Sequence, residues 1–94
     1  MKVQLKYYGV MREITQKREE NVEVEDSIML SHLVRLMVVK YGTSMESYVF
    51  DQNTNAPRPI HLFLVNGKIF TASQTSNTKL EEGSVISIIP TQGG

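Results

Sequence analysis

Ile60-His61-Leu62-Phe63-Leu64-Val65-Asn66-Gly67-Lys68-Ile69-Phe70 is the stretch from which the fold can be worked out. It opens with a nearly continuous apolar run containing β-branched and aromatic residues, the composition of a strand with neighbours on both faces. Asn-Gly then supplies two residues that tolerate positive φ, as a two-residue type I′ turn requires, so Lys68-Ile69-Phe70 is expected to fold back as a short strand. A lone hairpin is marginal in water, so the rest of the chain must supply more sheet and a layer to cover it.

Working outward, residues 2–8 alternate, with Val3, Leu5 and Tyr7 on one side and Gln4, Lys6 and Tyr8 on the other, the period of a half-buried strand. Residues 21–25 repeat the pattern, Val22 and Val24 inward and Glu23 and Glu25 outward, and the connection between the two strands is long enough for a helical turn around residues 11–15. Asp26-Ser27 offers N-cap chemistry, with Ser31 as an alternative. Leu30, Leu33, Val34, Met37, Val38 and Tyr41 then recur at helical spacing until Gly42 allows a stop, while Leu36 and Val39 leave the outer face less polar than usual. Residues 45–50 suit a short second helix, and residues 51–59 form a polar, proline-marked loop. Residues 71–78 are rich in Ser, Thr and Asn without periodicity, Glu82-Gly83 reads as a turn, and residues 84–89 form a last strand. This order predicts an α+β domain, a mixed sheet of about five strands with one main helix packed across it.

Composition narrows the function classes. The chain has 94 residues, 40% of them hydrophobic, which suits a single domain spanning 1–94. With no cysteine it has neither a disulfide framework nor a thiolate nucleophile. Ten Lys and Arg against ten Asp and Glu lack the basic excess that drives phosphate-backbone binding, so no nucleic-acid partner is expected. The alternating N-terminus is neither a signal peptide nor a membrane span; no membrane partner is expected, and a cytoplasmic location is the default. His32 and His61 have no ligand-spaced neighbours, so no metal is expected. Tyr7 and Tyr8 read as a core edge and an interface. The single glycine at 67 cannot build a phosphate nest, so ATP should bind elsewhere than on this chain. No side-chain active site emerges.

The remaining feature is the end of the chain. After Pro90-Thr91-Gln92 come Gly93 and Gly94. Residues 90–94 read as a flexible tail carrying a backbone carboxylate on the narrowest peptide a chain can offer, able to thread a tunnel that a Cβ would block. The reactive group is then the C-terminus itself.

Tyr7-Tyr8-Gly9-Val10-Met11-Arg12-Glu13, Leu64-Val65-Asn66-Gly67-Lys68, the run from Leu80-Glu81-Glu82-Gly83 through Ile89-Pro90, and Gly93-Gly94 together resemble the MoaD and ThiS sulfur-carrier family over nearly the whole chain, MoaD more than ThiS. The resemblance implies a ubiquitin-like β-grasp fold. It implies that a ubiquitin-activating-enzyme-like adenylyltransferase uses ATP and Mg²⁺ to adenylate Gly94, that a sulfur donor converts the adenylate to a thiocarboxylate, and that Gly93 and Gln92 are held in the partner's tunnel. It further implies that a MoaE-like large subunit of molybdopterin synthase takes up the tail, with the catalytic acids and bases in that partner and this chain as its non-catalytic, sulfur-donating subunit. Tyr8, Arg12, Phe63 and Ile89 are the candidate docking residues, Phe63 on the condition that the helix covers Leu62 and Leu64. The tail departs from the family pattern, which places two prolines and a small residue before the glycines. Alternatives are a ubiquitin-like modifier joined through Gly94 to lysines, a thiolation carrier for tRNA or thiamine, and a passive β-grasp interaction domain.

Overall fold

The computed structural model describes residues 1–59 and 61–90. The elements run β1 (Lys2–Lys6), α1 (Val10–Thr15), β2 (Glu19–Glu23), α2 (Leu30–Tyr41), α3 (Thr43–Val49), β3 (His61–Val65), β4 (Lys68–Thr71), a 3₁₀ helix (Ala72–Asn77) and β5 (Val85–Pro90). The five strands form one sheet in the order β2-β1-β5-β3-β4. All neighbours are antiparallel except β1 and β5, which run parallel at the centre with Gln4 beside Val85 and Lys6 beside Ser87.

The alternation in β1 does what its period demands: Val3 and Leu5, followed by Tyr7, are buried. They join Ile86 and Ile88 of β5 and Phe63 and Val65 of β3 in one core with Leu30, Leu33, Val34 and Met37 of α2 and Met45 and Val49 of α3. A mixed sheet with parallel central strands and a helix laid across one face is the β-grasp arrangement.

The predicted hairpin forms, with Asn66 at φ 52° and Gly67 at φ 82°, both in the region a type I′ turn needs. Asn66 also ties the turn to β5, its N–H donating to the Val85 carbonyl and its Oδ1 accepting from the Val85 N–H, both at 2.9 Å. Gly42 ends α2 at φ 82° and ψ −155°, a region only glycine enters freely, and its N–H donates to the Val38 carbonyl at 2.7 Å.

Several local expectations are corrected. β2 spans Glu19–Glu23, not residues 21–25; the phase is kept, Glu20 and Val22 pointing inward, but pairing with β1 begins earlier. β1 ends at Lys6, before the tyrosines. Neither Asp26-Ser27 nor Ser31 caps α2. Met29 occupies that position without a side-chain bond, and the Leu30 N–H instead donates to the Thr78 carbonyl at 2.8 Å, so a strand-like contact between Met29 and Lys79 replaces the cap. The aperiodic segment after β4 is a 3₁₀ helix with a capping box between Thr71 and Gln74. Pro90, read as the first tail residue, pairs with His61 and belongs to β5.

Candidate functional site

Residues directly opposite in a ladder share a face. Leu62 stands opposite both Ile89 and Thr71, and Leu64 opposite both Ser87 and Ile69. These residues, with Val85, therefore line the face of the sheet away from α2. Leu62, Leu64, Val85 and Ile89 are half-buried, and Ile69 is 60% exposed. On the β1–β2 half the same face turns polar, carrying Lys2, Gln4, Lys6, Glu19, Asn21 and Glu23, with Gln4 donating to Glu19 at 2.8 Å. An apolar band bordered by charge is the form of a docking surface.

The parallel pairing of β1 and β5 sends both strands out at the same end of the sheet. There β1 runs into Tyr8, 47% exposed, and α1, where the exposed Arg12 guanidinium lies 5.9 Å from the Tyr8 ring centroid, a cation–π contact. Gly9 makes this bend at φ 52°, its carbonyl accepting from the N–H groups of Arg12 and Glu13. β5 thus ends, at Pro90, on the side of the sheet where Tyr8 and Arg12 sit.

Of the predicted docking residues, the geometry brings Tyr8 and Arg12 together and leaves Ile89 on the outer face. Phe63 is a correction: it is 0% exposed, because α2 and α3 cover the face carrying His61, Phe63 and Val65. Its place on the outer face is taken by Leu62 and Leu64. Gln92, Gly93 and Gly94 lie outside the described residues.

Among the described residues no group of three or more His, Asp or Glu side chains could hold a metal ion, and no helix is long and apolar enough to cross a membrane. His32 pairs with Glu25 at 3.2 Å on the surface. One strongly perturbed carboxylate does occur, at Glu20. It accepts from Lys40 at 2.6 Å, from Lys17 at 3.3 Å, and from the hydroxyls of Tyr7 and Tyr41. Burial alone would raise its pKa, but these four donors outweigh burial and bring it down to about 2. The same burial and the bond to Glu20 push the Tyr7 phenol up. The cluster clamps β2 to the end of α2 under the sheet, away from the outer face, and its role is structural. Its one sequence signal is that Glu20 shares the two-residue phase of Val22.

The mixed five-stranded sheet with helices across one face defines a ubiquitin-like β-grasp protein. A ThiS family model matches residues 5–94, a span that includes Gly93 and Gly94, and the chain belongs to the ThiS family. Comparison with curated proteins gave no match. Among solved structures, the chain is similar to the small archaeal modifier protein SAMP1 of Haloferax volcanii (TM-score 0.82, 17% identity, covering 100% of this chain and 99% of that one). It is similar to Urm1 of Trypanosoma brucei (TM-score 0.77, 20% identity, 99% and 94% covered). It is also similar to a Pyrococcus furiosus protein named as molybdopterin converting factor, subunit 1 (TM-score 0.74, 20% identity, 96% and 97% covered).

Proposed function

We propose that this member of a sulfur-carrier and modifier family is the sulfur-donating small subunit of a molybdopterin synthase, activated at Gly94. The observation that supports the reading is the parallel β1–β5 pair, which ends β5 at Pro90, four residues before Gly94, on the side of exposed Tyr8 and Arg12 and next to the apolar outer face. A partner that grips that face holds the terminal carboxylate at a fixed point in its own active site, removing most of the entropic cost of the encounter.

The chemistry asks little of this chain's side chains. A carboxylate repels nucleophiles. In the adenylating partner its oxygen attacks the α-phosphorus of ATP and expels pyrophosphate, giving an acyl-adenylate with a good leaving group. A persulfide sulfur from the donor then displaces AMP, and a thiol cleaves the resulting S–S bond, leaving a thiocarboxylate on Gly94 and a disulfide on the donor side. In a MoaE-like large subunit, two such thiocarboxylates convert a cyclic pyranopterin into a dithiolene.

The likeness to SAMP1 and Urm1 favours one second reading, attachment of the activated Gly94 to lysine amines. Incubating the thiocarboxylated chain either with a MoaE-like subunit and the cyclic pterin or with a lysate of the source cells separates the two. Dithiolene formation with return of the carboxylate supports the synthase reading. Covalent adducts that survive denaturant, with no pterin conversion, replace it with the modifier reading.

A further inference from the structure

His61 opens β3 with its ring turned inward and is 0% exposed. Its Nε2 lies 2.6 Å from the carbonyl oxygen of Tyr48 in α3, and the two rings are 4.7 Å apart, tilted by 52°. A carbonyl only accepts, so Nε2 carries the proton and Nδ1 presents a lone pair. Nδ1 is the one buried side-chain polar atom with no hydrogen-bond partner among the described residues. An aliphatic side chain would fill this space without leaving a polar atom unpaired, so the imidazole calls for an explanation.

Position supplies one. Across the ladder from His61 stands Pro90, the last described residue before the segment that ends in Gly93-Gly94. The ring therefore links the end of α3 to the residue pair from which the terminal arm departs. We propose that His61 is a positioning residue for that arm: as a neutral imidazole bonded to Tyr48 it holds the His61–Pro90 pair closed, and on protonation it lets the pair open. This rests on the reading of Gly94 as the activated group.

Protonation would place an N–H on Nδ1 with no acceptor, and a charge in a closed site. The groups facing the ring are the Tyr48 phenol on α3 and Arg58 in the preceding loop, whose carbonyl accepts the His61 N–H at 3.1 Å; Ile88, on the same face of β5, carries no charge. Among the described residues none of the ion pairs joins a carboxylate to His61, and the charge acting on it is that of Arg58. Burial lowers the His61 pKa, the Tyr48 carbonyl opposes this in part, and Arg58 lowers it further. The sign follows: a depressed histidine favours the closed form fully above its free pKa of about 6.5 and loses that preference as pH falls through the depressed value, the open population rising at most about tenfold per pH unit within the window.

Amide hydrogen exchange on the chain alone, with the His61 imidazole titrated by NMR in the same samples, tests this in the wild type and His61→Gln. The glutamine amide can donate to the Tyr48 carbonyl and does not titrate in this range. After correction for intrinsic rates, protection at Leu62, Phe63, Ile88 and Ile89 should fall below about pH 6.5 in the wild type, by up to about tenfold per unit, while Val3 and Leu5 hold and the variant stays flat. A flat wild type, or the same loss in His61→Gln, overturns the proposal. These readings do not depend on whether Gly94 is ever activated. With an adenylating enzyme, the rate ratio of His61→Gln to wild type should rise as pH falls; a constant ratio overturns the link to the arm.

Discussion

Ile89 stands directly opposite Leu62 on the outer face of the sheet, while Ile88 and Phe63, each one residue away, stand opposite each other in the core. A single step along either strand separates the proposed docking surface from the interior. Leu62→Lys should leave stability within about 1 kcal/mol of wild type and weaken binding to the activating partner by tenfold or more, about 1.4 kcal/mol. Phe63→Ala should cost about 3–5 kcal/mol of stability. Denaturant melts and titration calorimetry on both variants check the contrast.

Arg12, stacked on Tyr8 on the side of the sheet where β5 ends, is exposed and packs no core. Arg12→Glu should melt as the wild type does but associate more slowly with the partner, the difference shrinking as salt rises because exposed charges are screened. Stopped-flow association at two ionic strengths reads this directly.

Glu20, held at a pKa of about 2 against an ordinary 4.5, links stability to acid. A depressed carboxyl contributes stability that is fully present above its unfolded pKa and is lost as pH falls through the folded value. Wild-type stability should therefore drop by an amount on the order of 3 kcal/mol between about pH 4.5 and pH 2 on this account. Glu20→Gln should be less stable at neutral pH, because Lys40 and the two tyrosines lose their charged acceptor, and should lack most of that acid limb. Urea melts across the pH range test both halves.

Asn66 and Gly67 hold positive φ, and Asn66 Oδ1 is bonded to the Val85 N–H. Gly67→Ala should cost about 1–2 kcal/mol through backbone strain. Asn66→Ala should cost at least as much, since it adds the loss of an acceptor. Thermal melts should rank both well below an exposed-loop control such as Gln52→Ala.

Much of this architecture was legible because its elements obey simple periods. The alternation of Val3, Leu5 and Tyr7, the helical spacing from Leu30 to Met37 and the Asn66-Gly67 turn each have one physical solution, and the tetrad of motifs pointed to the family. What escaped is what depends on distant partners. The start of α2 is capped by the Thr78 carbonyl, so no local residue announces it. Glu20 looks like a surface acid until Lys40 and Tyr41 arrive from α2. β3 is apolar on both faces, so alternation separated Leu62 from Phe63 without showing which one the helices would cover. His61 gave no sign of its burial, because the contact that encloses it comes from Tyr48 on α3.

The function proposed for this chain stands or falls on Gly94 as the reactive group. Intact-protein mass spectrometry of the chain after incubation with ATP, Mg²⁺, an adenylating enzyme of this family and a sulfur donor tests it most directly, beside a version lacking Gly93 and Gly94. Replacement of one oxygen by sulfur is expected in the full chain alone, with both proteins equally folded. An unmodified full chain, with the enzyme shown active on its own carrier, would contradict it and leave a β-grasp domain that works through its surface.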